Sequence, residues 1–214
     1  DVEQGIDGQS QGVALPIVEK LEQLVQETQS DAAELSEALQ IQIVRGELEI
    51  ESEGRRIVVR IKERGSFAPG TADLAPEYFA VIAIIREVIA KREGAVAVEG
   101  HTDDINIRSN RFRSNWDLSA MRAVSVAQEL FIDNVLDSRR FAVTGFADTQ
   151  PLVPNDSTQN RGRNRRVEIV IRQAIDPTLQ EQIEALKNVD PELYQSFGLE
   201  AQSGIYNLPP SSIF

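Results

Sequence analysis

Between Val98 and Val126 the chain places its one histidine, its one tryptophan, two adjacent aspartates and four arginines. His101, Asp103 and Asp104 are residue types that bind metals or move protons. A metal centre needs three or four converging ligands. Here one His stands with two neighbouring carboxylates, and the chain has no second His and no Cys. Side chains alternate along extended backbone, so Asp103 and Asp104 should diverge. A hydrolytic triad would need Ser114 or Ser119 as nucleophile, His101 as base and an orienting acid. Nothing in the spacing demands that arrangement. His101 therefore reads as a structural ring at the end of a strand, and no catalytic residue, metal or cofactor is expected.

Asp103 and Arg122 are more telling as a pair. If Ser119 caps the following helix, Arg122 falls in its first turn, where a cation opposes the helix dipole at a cost of up to ~1 kcal/mol. Such a cation calls for an anionic partner. One option is a protein carboxylate, Asp117 or Asp103. The other is a ligand carboxylate gripped by the guanidinium fork and the free helix amides. A second basic cluster, "NRGRNRR", holds Arg161, Arg163, Arg165 and Arg166. It reads either as a solvated loop or as a loop whose last arginines, at the start of a strand, reach a ligand. It lacks the interleaved aromatics that single-stranded nucleic acid would want.

The elements that must position these groups can be read from periodicity. From Pro16, the residues Ile17, Leu21, Leu24, Thr28, Asp31, Leu35 and Ala38 form a heptad-like stripe with polar breaks at Thr28 and Asp31. Ser30 and Asp31 are plausible caps, so two helices are expected to meet there, packed on their own domain or against a second copy or an upstream segment. Ile57, Val59 and Ile61 alternate with Val58, Arg60 and Lys62 after the turn "SEGR", which predicts a hairpin with one wet face. "EYFAVIAIIREVIAKRE" is apolar on most sides, a buried helix that Pro76 opens. "AVAVEG" and "FAVTGFAD" read as short strands, with a helix from Ser119 between them. A long polar loop then leads to the alternating strand "RRVEIVIR". The fold class is α+β: a mixed sheet of four to five strands with two helices on one face. The expected organisation is a mobile linker over 1–15, a helical stem over 16–40, the sheet domain over 41–175, and a tail over 176–214 with short helices around 177–188 and 191–197.

Composition sets the outer bounds. The chain has 214 residues, 41% of them apolar, and a net charge of -12. The charge is uneven: net -11 over residues 1–53, +4 over 54–175 and -5 over 176–214. Overall acidity argues against nucleic acid as a partner, while the basic middle suits an anionic group. Absence of Cys excludes disulfides and is compatible with an oxidising compartment. No run of eighteen apolar residues is present. The chain opens at Asp1 and its one methionine is Met121, so a further segment is expected upstream, and any membrane anchor would have to lie there.

Four stretches, "GHTD" at 100–103, "NWDLSAMRA" at 115–123, "GFADTQP" at 145–151 and "NRRVEI" at 164–169, occur in that order. Together they resemble the OmpA-like peptidoglycan-binding family. The "HTDD" followed by an insert and "SNWDLSAMRA", the "GSFAPGTADLAP" segment and the helical stem resemble its MotB/PomB type, the B subunit of the flagellar stator. The resemblance implies a non-catalytic periplasmic domain of a single-pass inner-membrane protein, anchoring an ion-driven motor unit to the cell wall. Its ligand would be the diaminopimelate stem peptide of peptidoglycan. Asp103 would take the ligand's ammonium and Arg122 its carboxylate. Thr102, Asn115 and Leu118 match pocket-lining positions, and one of Arg165 and Arg166 should face the same pocket. A homodimer, the MotA/PomA-type A subunit and flagellar basal-body ring proteins are the partners implied. The alternatives are an OmpA-like outer-membrane protein or lipoprotein serving envelope integrity, and a wall hydrolase using His101.

Overall fold

The computed structural model describes residues 7–189 and 191–196. Five strands form one sheet: β1 (Leu48–Glu53), β2 (Arg56–Lys62), β3 (Gly94–His101), β4 (Phe141–Gly145) and β5 (Arg166–Gln173), in the spatial order β1-β2-β5-β3-β4. Only β3 and β4 run parallel; the other pairings are antiparallel. The parallel pair requires a crossover, which α5 (Asn115–Leu130) supplies. The other crossover helix, α4 (Glu77–Lys91), connects β2 to β3 by way of a short α3 (Glu63–Ser66).

Alternation along the strands divides the sheet. Ile57, Val59, Ile61, Val96, Val98, Val167 and Ile169 point to a core shared with α4 and α5. The opposite face carries Glu49, Glu51, Arg60, Lys62, Arg166 and Glu168, tied by cross-strand pairs such as Lys62–Glu49 at 2.5 Å and Arg60–Glu51 at 2.6 Å. Its apolar content is a small cluster of Val58, Ala97 and Val170. Toward β1 this is the wet face that the hairpin pattern predicts; toward β5 the same face is covered, and Arg166 and Glu168 are buried.

The stem is one continuous helix, α1 (Asp7–Ala38), followed by the short α2 (Gln40–Val44), rather than two helices meeting at Ser30–Asp31. The polar breaks have another cause. Thr28 and Asp31 are buried against the domain. The Thr28 hydroxyl donates to Gln173 Oε1 at 2.8 Å, and Arg92 grips Asp31 at 2.8 and 3.2 Å. Ala32 and Leu35, with Leu39 just past the helix end, enter the main core, so α1 adds a third helix to the covered face. Its earlier turns pack Ile17 and Leu21 against Leu179, Ile183 and Leu186 of α7 (Pro177–Val189) and Tyr194 of α8 (Pro191–Ser196).

The helix is already formed at Asp7, the first described residue, inside the stretch expected to be a mobile linker, and runs through Pro16. Gln, Val and Ala between the glycines are compatible with extending a helix nucleated further along. The long polar loop before β5 also contains a helix, α6 (Thr158–Asn164), capped by Ser157, whose hydroxyl accepts from Asn160 N at 3.1 Å. The expected loose end after 197 and the first six residues lie outside the described residues. Among the described residues no helix is long and apolar enough to cross a membrane.

Candidate ligand-binding site

The site lies where β3 ends, α5 begins and β5 starts. Two glycines set the spacing. Gly100 of β3 pairs with Gly145 of β4, and α5 lies directly on them. A Cβ on Gly100 would come within 1.9 Å of the Ser119 carbonyl oxygen, and one on Gly145 within 2.5 Å of Ala120 N. Any side chain there would lift the helix from the sheet. Ser119 secures the contact: its Oγ accepts from Ala147 N at 3.0 Å and donates to Trp116 O at 3.1 Å.

The helix starts four residues earlier than the sequence suggests. Ser114 is the cap, accepting from Asp117 N at 3.4 Å, and Asp117 in the first turn accepts from Arg113 N at 2.9 Å. This is capping-box logic, and it overturns the dipole argument for Arg122, which sits two turns into α5. Arg122 is instead one of the largest fully buried side chains, at 1% exposure. It needs a partner because it is buried, not because of its place in the helix.

That partner is Glu63, which sequence reading missed. Arg122 Nη2 donates to Glu63 Oε1, and its Nε donates to Thr71 O at 2.7 Å. Phe67 lies under the guanidinium, 5.2 Å from ring centre to Cζ. The Nη1 of Arg122 is buried with no partner. The other oxygen of Glu63 accepts from Arg165 Nε, and Arg165 Nη1 donates to Asp103 Oδ2 at 2.5 Å. Asp103 Oδ1 accepts from Ile105 N at 3.1 Å. The result is a chain of alternating charge, Asp103–Arg165–Glu63–Arg122. Asp103 and Arg122 converge on one region but do not face each other across an open crevice, because Glu63 and Arg165 stand between them. Burial pulls the Arg165 guanidinium down, but its hydrogen bonds to Asp103 and Glu63 outweigh this and leave it above its ordinary range.

The signal for Glu63 was present in the parity of β2. Ile57, Val59 and Ile61 face the helices, so residue 63 continues that face. Glu63 N donates to Arg165 O at 3.0 Å, extending the antiparallel register of β2 with β5 by one step. The same parity separates the two arginines. Arg165 is in phase with Val167 and Ile169 and turns to the helix side. Arg166 is in phase with Glu168 and turns to the other face, where its Nε donates to Glu168 Oε1 at 2.7 Å. Of the two, Arg165 belongs with Asp103 and Arg122; Arg166 does not.

The remaining sequence-predicted residues divide in role. Asn115 is buried and committed to the loop: its Nδ2 donates to Asp103 O and Ile105 O, both at 3.1 Å, and its Oδ1 accepts from Ile107 N at 3.0 Å. It shapes the backbone that presents Asp103. Leu118 packs with Ala72 and Phe112 beneath that loop. Thr102 is buried, and its Oγ1 has no partner. Asp104 turns outward to Arg161 at 2.8 Å, diverging from Asp103. Asn164 is fully buried and pins the preceding loop through Val153 and Asn155.

His101 belongs to the Arg166 face. It is 1% exposed, stacks on Phe146 at 5.3 Å, and neither ring nitrogen makes a hydrogen bond, the nearest carboxylate being Glu99 at 3.9 Å from Nε2. Burial, with the Arg166 charge next, lowers its pKa to about 4, so the ring is neutral. Glu99 and Glu168 lie close enough to share a cation with it. However, Glu168 Oε1 already accepts from both Arg60 at 3.0 Å and Arg166 at 2.7 Å, and a metal there would meet two guanidinium groups. Ser114 and Ser119, the nucleophile candidates, spend their hydroxyls on backbone groups.

A five-stranded mixed sheet, with paired glycines seating a crossover helix and an arginine pair split between its two faces, defines the class of α+β domain. Residues 66–165 match the OmpA family. The chain is 32% identical over 126 residues to Motility protein B of Bacillus subtilis, covering 58% of this chain and 48% of that one. Among solved structures, a MotB like protein from Desulfovibrio vulgaris superposes with a TM-score of 0.64 at 31% identity, covering 72% of this chain and 99% of the other. The cell wall anchor of the T6SS from Pseudomonas aeruginosa gives 0.60 at 35% identity, covering 65% and 97%. The chain belongs to the OmpA family, in its MotB-like group. It spans about half the length of the curated relatives it matches.

Proposed function

We propose that this domain is a non-catalytic anchor that grips peptidoglycan through the diaminopimelate residue of its stem peptide and, on the periplasmic side of the inner membrane, fixes a flagellar stator to the wall. The observation that carries this reading is the convergence of Asp103, Arg165 and Arg122 beside the first two turns of α5, with one donor of Arg122 buried and without a hydrogen-bond partner. Diaminopimelate ends in an ammonium beside a carboxylate. Asp103 is the acceptor for the first, and Arg122 Nη1 the donor for the second. Each charge-assisted hydrogen bond contributes roughly 1.5–3 kcal/mol. After association costs, one site holds its fragment at about micromolar to millimolar strength. Two copies on one stator, bound to a polymer, would multiply that by effective concentration. A homodimer tethered to an A subunit of MotA/PomA type fits this need, with basal-body ring proteins as further partners.

Wall binding is tested by co-sedimentation with purified sacculi. Asp103→Asn and Arg122→Lys, each checked for folding by circular dichroism, should bind at least about tenfold more weakly, because lysine lacks the guanidinium fork. If both bind like the native chain, the site assignment is wrong. Release of muropeptides above a His101→Ala control would contradict the non-catalytic reading.

The likeness to the T6SS wall anchor supports a second reading, in which the same grip holds a secretion machine. Co-purification of the full-length protein from membranes separates the two: a stator A subunit favours the motor, secretion-system components the alternative.

A further inference from the structure

The chain Asp103–Arg165–Glu63–Arg122 has the charge order of a bound zwitterion already in place. Arg165 sets a cation on Asp103, and Glu63 sets an anion on Arg122. We propose that Glu63 and Arg165 act as an internal surrogate of the ligand, so that the site opens only to a molecule bearing both a positive and a negative charge. This rests on the reading of Asp103 and Arg122 as ligand groups.

Three observations carry it. First, the surrogate is held together from within. The two oxygens of Glu63 are divided between Arg122 and Arg165, and the backbone bond from Glu63 N to Arg165 O fixes their spacing. Second, its members differ in freedom. The Arg165 side chain is 31% exposed, against 6% for Asp103, 11% for Glu63 and 1% for Arg122. Arg165 is therefore the arm that swings out, still tethered by Glu63, while the other three stay. Third, Arg122 keeps an Nη1 with no hydrogen-bond partner; it is buried, so a carboxylate reaches it only once the Arg165 arm has opened the site, and then without competing with Glu63 for the same donor.

Charge balance then gives selectivity. The four residues sum to zero. A zwitterion leaves the sum at zero once its ammonium has replaced Arg165 on Asp103 and its carboxylate has reached Arg122. An amine alone would add a positive charge beside two guanidinium groups; a carboxylate alone would add a negative one beside Asp103 and Glu63. Both leave an uncompensated charge in a site where water does not screen it well.

The test is an NMR titration with three probes: meso-diaminopimelate, hexylamine and heptanoate. The native protein should bind diaminopimelate at least about tenfold more tightly than either singly charged probe. Glu63→Gln, which keeps the shape and removes the anion, should improve heptanoate binding by about tenfold and weaken hexylamine. Arg165→Gln, at a partly exposed position that tolerates replacement, should do the reverse and improve hexylamine by about tenfold. If Glu63→Gln does not fold, the Arg165→Gln titration decides by itself. Equal binding of all three probes by the native protein, or an unchanged preference in the variants, overturns the surrogate. Sacculus binding that ignores Asp103→Asn overturns instead the reading on which it stands.

Discussion

Arg165 and Arg166 are neighbours in the chain, yet they build two unlike networks on opposite faces of one sheet. The ion pairs of the Arg166 network are closed on one another, although the ring nitrogens of His101 beside them make no hydrogen bond. Arg60 and Arg166 both donate to Glu168, Arg166 also reaches Asn164 O at 3.1 Å, and His101 sits beside them as a neutral ring. The Arg165 network has a partly exposed arm and a buried donor without a hydrogen-bond partner. Ion pairs that saturate each other lock a structure. A network with a spare donor and a movable member is fitted to exchange one of its pairs. The contrast teaches that neither charge density nor an unpartnered buried atom, which His101 also has, marks the site by itself; the Arg165 network differs in joining a spare cationic donor to a movable ion pair.

The largest expected effect breaks the closed network. Arg166→Ala should cost ~3 kcal/mol in denaturant unfolding, because it leaves the buried Glu168 with Arg60 alone, while the same protein keeps its sacculus binding. A loss of wall binding with unchanged stability would reverse the roles of the two arginines.

A change of pH tests the same face. The His101 pKa is lowered to about 4 in the folded chain, by burial first and the Arg166 charge second. The unfolded chain, with its ordinary value near 6.5, binds that proton more readily, so stability falls as pH drops from about 6.5 toward 4 and levels below it, by about 3 kcal/mol in all. Glu168 adds to this at lower pH. Burial raises its carboxyl, but the charge and hydrogen bond of Arg166 leave it below its ordinary value, so its stabilisation is lost as pH falls through the folded value. His101→Gln should flatten the upper part of the curve. An identical curve for the variant would show that the ring is not buried neutral.

Gly100→Ala sharpens the comparison from the helix side. The added carbon meets the Ser119 carbonyl, so α5 and Arg122 must shift while Arg166 does not. A loss of about 2–3 kcal/mol with weakened wall binding is expected. Arg165→Ala gives the smallest effect on stability, about 2 kcal/mol, since the arginine is itself partly exposed although its loss leaves the buried Asp103 and Glu63 each short of one donor. Its main consequence should be altered ligand preference, and a stability loss as large as that of Arg166→Ala would erase the distinction between the faces.

Much of this architecture was legible in the sequence. Alternation at Ile57, Val59 and Ile61 and at the strand after Arg165 placed β2 and β5, and the apolar run 77–91 placed α4. The four ordered motifs located Asp103, Arg122 and the arginine pair. Glu63 was not recognised because it sits past the end of an obvious strand, and its partner Arg122 is distant in sequence. Parity along β2 would have found it. The start of α5 was misplaced because Ser119 resembles a cap, whereas Ser114 with Asp117 three residues on is the better box. Thr28 and Asp31 looked like interruptions of the stem because a helical stripe does not reveal that Gln173 and Arg92 will meet its polar positions.

The central claim is that Asp103 and Arg122 share one zwitterionic guest. A crystal structure of the protein with meso-diaminopimelate tests it most directly. The account predicts the ammonium on Asp103, the carboxylate within hydrogen-bond reach of Arg122 Nη1, and Arg165 withdrawn from Asp103 while still on Glu63. A ligand bound elsewhere, with the Asp103–Arg165 pair intact, would contradict it.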